Sequence, residues 1–290
     1  MTRNKATLIG SVAIALWSLL ALFTVGSAPV PPFLLNVLTF SIGGLVGLVW
    51  ILATGGFGQL KGVGWRVYLF GTLGLFGYHF LYFSALRLAP AAEAGLICYL
   101  WPLLIVVLSG LMPGERLTAL HVLGALLSFA GTALLILGKG VSGGEGAVLG
   151  FGFAGAAALT WAGYSVLSRK LGAVPTASVA LFCLGTACLS ALCHLALEKT
   201  VWPVGSIGWL SVLALGLGPV GLAFYVWDLG VKKGDIQLLG TLSYAAPLLS
   251  TLALVAAGFA EPSARIGLAA ALITAGAGLA AWASARARRI

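Results

Sequence analysis

The chain has 290 residues, of which 60% are hydrophobic and only 8% are charged. A soluble globular domain carries about a quarter charged residues, so this composition excludes an ordinary soluble fold and predicts a membrane protein. A net charge of +9 is also found in nucleic-acid-binding proteins. Here the basic residues follow a membrane-topology pattern instead, and we expect no nucleic-acid partner.

Ten apolar segments follow one another along the chain, each long enough to cross a bilayer as a helix. The first charge-free stretch, from Ala6 to Leu60, fits two spans separated at Pro29, Pro31 and Pro32. The start of the chain also looks like a signal peptide, but the later segments are equally apolar, so we expect the first helix to be retained. The predicted spans lie near residues 7–27, 33–54, 65–86, 91–111, 117–138, 147–168, 176–197, 206–230, 236–258 and 264–284.

The distribution of Lys and Arg predicts the orientation of these spans. With the N-terminus in the cytoplasm, twelve of the sixteen basic residues lie inside and four lie outside: Arg87, Lys139, Lys199 and Arg265. The positive-inside rule therefore predicts that both termini are cytoplasmic. One missed or invented helix would mix the two sets of charges, so the asymmetry also favours a count of ten.

The second half of the chain repeats the first 145 positions later. Gly95, Tyr99, Pro102, Leu103 and Leu104 recur as Gly240, Tyr244, Pro247, Leu248 and Leu249. Five spans per half is an odd number, so the second half would enter the membrane upside down, as in many transporters. We therefore predict an all-α membrane protein of ten transmembrane helices. It would consist of two inverted five-helix repeats, residues 1–143 and 144–290, joined by the linker at 139–146.

Two prolines occupy equivalent places within the fourth and ninth spans. Pro102 and Pro247 each remove a backbone hydrogen bond and free a carbonyl, which in lipid needs a partner or a wet cavity. An ordinary kink is one interpretation. Repetition at equivalent positions favours the other, a pair of hinges beside a central site.

Aromatic and polar residues within the spans are the candidates for substrate binding. Buried Trp and Tyr carry a polar hydrogen as well as a π face, which suits an amphipathic ligand. Some must serve only in packing, because Tyr99 and Trp101 are two apart and point in different directions on a helix. The candidate residues are Trp17, Tyr78, His79, Tyr82, Tyr99, Trp101, Trp161, Tyr164, Trp227, Asp228 and Tyr244.

Asp228 and His79 are the ionisable candidates among these residues. Asp228 lies one turn before Lys232, so it either pairs with that lysine or contacts substrate at a gate. His79 is either a satisfied polar core residue or a ligand contact.

The sequence contains no constellation typical of an enzyme, a metal site or a cofactor site. It lacks HExxH, an Asp-rich repeat and paired intramembrane aspartates. Gly150, Gly152 and Gly155 fit GxGxxG, but no strand is expected before them and no acid lies about 20 residues beyond. We therefore expect no catalytic residues, no metal and no cofactor, and no obligatory protein partner is evident.

The duplicated five-helix pattern resembles the EamA-type members of the drug/metabolite transporter superfamily, over essentially the whole chain. Short motifs resemble the aromatic amino acid exporter branch: residues 2–10, Leu16-Trp17-Ser18, Tyr99-Leu100-Trp101-Pro102, Trp161-Ala162-Gly163-Tyr164 and Ser243-Tyr244-Ala245-Ala246-Pro247. The resemblance implies a multi-pass inner-membrane exporter of aromatic and other neutral amino acids. Efflux of drugs or cationic compounds is an alternative, and a membrane enzyme acting on lipid-linked substrates is another.

Overall fold

The computed structural model describes residues 1–136, 147–256 and 261–287, and these ranges contain helices and loops but no strand. The helices of the first half are α1 (Arg3–Ser18), α2 (Leu20–Gly26), α3 (Pro32–Ala53), α4 (Phe57–Leu60), α5 (Trp65–Leu88), α6 (Ala91–Cys98), α7 (Trp101–Ser109) and α8 (Ala119–Ile136). Those of the second half are α9 (Ala147–Lys170), α10 (Val179–Leu197), α11 (Gly205–Leu217), α12 (Ala223–Lys233), α13 (Ile236–Leu242), α14 (Ala245–Ala256) and α15 (Ala264–Ala287). The predicted linker and repeat boundary, with Lys139, lie outside the described residues.

Within the described ranges, nine helical segments are long and apolar enough to cross a membrane. A further apolar helix, Glu93–Ser109, is shorter and falls where the fourth span is predicted. Many leucine and valine side chains on the outer helix faces are exposed, for example Val148 at 85% and Leu195 at 79%. Such a surface requires lipid around it. The prediction of an all-helical membrane protein is confirmed.

Two of the membrane segments are broken at equivalent places. One break lies at Tyr99 and Leu100, between α6 and α7, and the other at Ser243 and Tyr244, between α13 and α14. Pro102 lies in the first turn of α7, where its missing N–H costs no helical bond. Pro247 lies in the first turn of α14.

A third irregularity, not predicted from the sequence, separates α11 from α12. Gly218–Leu222 forms a π-helical turn that contains Pro219. Proline and neighbouring glycines account for this local widening, since the ring removes a donor and glycine tolerates the altered backbone.

The main helix pairs each join the two halves of the chain: α1 with α12, α3 with α10, α5 with α9, and α8 with α15. Small residues allow the backbones to approach closely. A Cβ on Gly10 would lie 2.8 Å from the Cα of Gly230, and one on Gly124 would lie 2.6 Å from the carbonyl oxygen of Gly276. In lipid, close packing of this kind replaces the hydrophobic drive between helices.

The start of α1 and the end of α15 lie at the same end of the bundle. Arg3, near the start of α1, and Ala287, at the end of α15, line one polar pocket of about 100 Å³. We call this end the terminal end and the other the opposite end.

Candidate functional site

Four tryptophans from four different helices meet in the middle of the bundle. Trp17 (α1), Trp101 (α7), Trp161 (α9) and Trp227 (α12) form six pairs, and every pair has ring centroids 5.1 to 6.3 Å apart. Most of the pairs are tilted or edge-to-face, which are favoured geometries for aromatic rings. We call these residues the Trp cluster. It is a densely packed aromatic cluster to which each of four helices contributes one ring.

Two hydrogen bonds fix the orientation of the Trp cluster. The Nε1–H of Trp17 donates to the carbonyl oxygen of Pro219 at 3.0 Å, and that of Trp227 donates to Oγ of Ser165 at 3.1 Å. A buried indole N–H without an acceptor would be costly, so these partners determine which way each ring faces.

A second group of predicted residues surrounds the Trp cluster. Tyr78 lies 5.4 Å from Trp161 and stacks on Tyr82 at 5.9 Å. His79 packs against Phe40 at 5.0 Å, and its Nδ1 lies 2.7 Å from the carbonyl oxygen of Leu75. Although they lie mid-span, five of the predicted residues remain partly exposed: Trp17, Tyr78, His79, Tyr82 and Tyr99.

Tyr164 completes this aromatic region as a buried wall residue. Its ring lies 5.5 Å from Phe70 and 5.4 Å from Trp161. The ring contacts thus bring together eight of the eleven predicted site residues. Phe224 also belongs here, 5.7 Å from Trp161, and was missed because phenylalanine has no polar group to distinguish it from packing.

Asp228, Tyr99 and Tyr244 make no such ring contact with the Trp cluster among the described residues. Asp228 faces Lys232, with Oδ1 2.9 Å from Nζ, and its Oδ2 accepts a hydrogen bond from Thr176 at 2.7 Å. The structure thus shows the ion pair with Lys232, which is one of the two roles considered from the spacing. Tyr244 is fully buried, and its hydroxyl accepts the N–H of Leu103 at 3.1 Å. Tyr99 lies in the break between α6 and α7.

A charged network that the sequence did not reveal joins several elements at the terminal end. Glu115, in the loop between α7 and α8, pairs with Arg3 of α1 at 2.9 Å and with Arg169 of α9. Arg169 also donates to the carbonyl oxygens of Val231 and Gly234. Arg3 lies 3.6 Å from Asp235, the N-cap of α13. These contacts, which we call the terminal-end network, connect α1, the α7–α8 loop, α9, α12 and α13 at this end of the bundle.

A smaller cluster lies at the opposite end. Glu198 pairs with Arg87 at 2.8 Å and with His194 at 3.0 Å, and it accepts the N–H groups of Phe33 and Leu34 at the start of α3. It therefore ties α3, α5 and α10 together, and among the described residues it makes no such contact with α1, α6, α9 or α14. Within the described part of the chain, no group of His, Cys, Asp and Glu is arranged to hold a metal ion.

The arrangement of one site between two repeated sets of helices can be compared with known proteins. The EamA-like transporter family matches residues 4–137 and, a second time, residues 148–282. The chain belongs to the EamA-like transporter family. The family resemblance identified from the sequence motifs is confirmed.

Relatives of this EamA-like transporter have been described in several bacteria. The chain is 58% identical over 285 residues to a protein of Ancylobacter novellus named "Aromatic amino acid exporter YddG", with 97% of this chain and 98% of that protein covered. It is 27% identical to a protein of the same name in Escherichia coli strain K12, with 99% of each chain covered. A crystal structure of a protein 57% identical to this chain superposes with a TM-score of 0.91 and covers 96% of this chain and 98% of that one.

Proposed function

We propose that this protein exports aromatic and other neutral amino acids across the cell inner membrane by alternating access to a central site. The observation that carries the proposal is the Trp cluster with its partly exposed rim of Tyr78, His79 and Tyr82. The name and nearly full-length match of the Ancylobacter novellus relative support the same substrate class. Family and relatives are transporters, so we propose that no chemical step accompanies transport.

In this proposal the aromatic ring of the substrate stacks against Trp17, Trp101 and Trp161, with Tyr78 and Tyr82 beside it. The charged ammonium and carboxylate groups meet the tyrosine hydroxyls and the ends of the broken helices. The N-terminal end of α7 is the positive end of the helix dipole, which suits a carboxylate. Carbonyl groups freed at the break before Pro102 suit an ammonium group.

We further propose ten spans arranged as two inverted repeats, residues 1–143 and 144–290, with both termini in the cytoplasm. The two separate family matches support the duplication. So does the crossing of α8 and α15, which is centred on Ser128 donating to the carbonyl oxygen of Ile273, 145 residues away. Close contacts flank that centre in related pairs, Gly124 with Gly276 on one side and Gly131 with Ala269 on the other. A two-fold axis through the crossing exchanges these two pairs.

The orientation and the hinge roles belong to the same proposal. The terminal end carries Arg3, Lys5, Arg169 and Lys170, as expected of a cytoplasmic face under the positive-inside rule. Pro102 and Pro247 would keep the breaks in the fourth and ninth spans at fixed places, so that each half-helix swings as a rigid piece.

Uptake of labelled phenylalanine into proteoliposomes tests the function. We expect wild-type protein to give substrate-dependent uptake, and Trp101→Ala and Tyr82→Ala to lower it at least tenfold, since each removes a stacking surface. Trp202→Ala is a matched control because Trp202 is 54% exposed and, among the described residues, stacks on Trp209 alone. If both site variants transport like the wild type, the aromatic site is wrong.

Efflux of cationic compounds is the competing function, and it needs an available acid within the membrane. Asp228 is the acid in question, but its carboxylate is already paired with Lys232 and bonded to Thr176. We therefore expect Asp228→Asn to leave any resistance to cationic drugs unchanged. Loss of resistance with amino acid export intact would favour the competing function.

A further inference from the structure

The two broken spans are related by the sequence repeat, yet they pack differently in this structure. At the terminal end, α7 of the fourth span packs against α13 of the ninth. A shift of 145 positions exchanges these helices for α14 and α6, which lie at the opposite end. Those two helices make no comparable contact among the described residues. The bundle is therefore closed between the broken spans at one end only.

A repeated glycine shows the same difference. A Cβ on Gly240 of α13 would lie 3.0 Å from Cγ2 of Val106 and 3.1 Å from the carbonyl oxygen of Pro102, so α7 and α13 meet without room for a side chain. Its counterpart in α6 is Gly95. A Cβ there would have nothing within 4 Å in the described structure. The sequence keeps a glycine at a position where this conformation does not need one.

A repeated tyrosine differs in the same way. Tyr244 is 0% exposed, and its hydroxyl accepts the N–H of Leu103 in the first turn of α7, where helical N–H groups lack partners of their own. The counterpart of this pair is Tyr99 and Leu248. Tyr99 is partly exposed, and its hydroxyl makes no hydrogen bond within the described part of the chain.

We propose that Gly95, Tyr99 and Leu248 form the contact that closes the opposite end in the other transport state. In that state α6 packs on α14 through Gly95, and the Tyr99 hydroxyl accepts the N–H of Leu248. At the terminal end, Tyr244 then releases Leu103. The inference rests on the proposed inverted repeat and alternating access, and it gives Tyr99 and Tyr244 a latching role in place of substrate contact.

Opposite shifts from two conservative variants test the latches. Two spin labels are attached in a variant without the native cysteines, at positions 93 and 256. These positions lie near the ends of α6 and α14 at the opposite end of the bundle. A short distance between the labels reports that this end is closed. Tyr244→Phe removes the latch seen here, so the population with the short separation rises about two- to tenfold, as expected for one hydrogen bond. Tyr99→Phe removes the other latch, so that population falls by a similar factor. Shifts of the same sign, or none, overturn the proposal.

A larger side chain at position 95 tests the proposed contact between α6 and α14. A Cβ at position 95 meets nothing within 4 Å in the present state, so we expect Gly95→Leu to fold. We expect it to lose phenylalanine transport at least tenfold and to abolish the short-separation population that Tyr244→Phe creates. Gly152→Leu is the matched control, since Gly152 is exposed and a Cβ there also meets nothing within 4 Å. A Gly95→Leu protein that keeps the short separation overturns the proposal. The label distances are measured without substrate. The latch can therefore be tested even if the wild-type protein does not transport amino acids, and the two failures are distinguishable.

Discussion

The terminal-end network makes a prediction about Glu115 that can be worked out from the structure. Its carboxylate side chain is only 3% exposed although it lies in a loop, and it binds the guanidinium groups of Arg3 and Arg169 at once. Glu115→Gln keeps the shape and removes the charge that both arginines face. Arg169 retains its bonds to the carbonyl oxygens of Val231 and Gly234, so α9 stays attached to α12. The link that fails is the one from the α7–α8 loop to α1 and α9.

The free energy that these ion pairs contribute depends on how exposed the two arginines are. A hydrogen bond to a charged group contributes about 1.5–3 kcal/mol, and exposed ion pairs contribute about 0–1 kcal/mol. Arg169 is 17% exposed and belongs nearer the first class, whereas Arg3 is 35% exposed and belongs nearer the second. Together they stabilise the closed terminal end by about 2–3 kcal/mol. We therefore expect Glu115→Gln to shift the equilibrium toward an open terminal end by about 30- to 150-fold.

Spin labels at Pro113 and Lys170, two exposed residues on the loop and at the end of α9, measure this shift. In Glu115→Gln the distribution should gain a longer separation that the wild type rarely populates. Glu261→Gln is the control, because Glu261 is exposed and forms no ion pair among the described residues. If Glu115→Gln gives the same distances as the wild type, the network does not hold this end closed.

Three further substitutions test individual contacts. Gly124→Leu should lower the free energy of unfolding in detergent by about 1–3 kcal/mol, because the added side chain clashes with Gly276. Gly278→Leu should not lower it, because a Cβ at that position meets nothing within 4 Å. Ser165→Ala leaves the Trp227 N–H without an acceptor, and we expect a loss of about 1–3 kcal/mol in stability that Ser165→Thr restores in part. Arg87→Gln should change stability by less than about 1 kcal/mol, because Arg87 is 45% exposed; a larger loss would contradict this assignment.

The helices and their breaks were accessible from the sequence because hydropathy and proline act locally. Length and apolarity define a span wherever it packs, and Pro102 and Pro247 both lie within one turn of an actual break. The π-helical turn at Pro219 escaped prediction because it has no repeated counterpart in the first half: the residue 145 positions earlier is Gly74. Hydropathy and proline positions therefore predict the spans and their breaks, but they do not predict the π-helical turn.

The partners of the charged residues were not accessible, since they come from distant parts of the chain. Glu115 and Arg3 are 112 residues apart, and Glu198 meets the N–H of Phe33 across 165 residues. A charge in a loop is normally read as solvated, which is correct for Glu261 and wrong for Glu115. One signal was present: the chain has only seven acidic residues, so each has a high chance of a specific partner. The rotation of each helix about its axis is not encoded locally either, so the sequence alone places Tyr244 with the central aromatics.

The Trp cluster does not follow the sequence repeat of the helices around it, and packing explains why. Trp101 and Ala246 are counterparts in the repeat, and both are buried in the same central core. All four tryptophans of the Trp cluster already touch one another, so a fifth indole at position 246 would find no volume. Gly95 and Gly240 are identical counterparts, and in the proposed latch each admits a neighbouring helix in one of the two states. In this proposal the repeat is retained where helices exchange contacts between states and lost where a single ligand is bound.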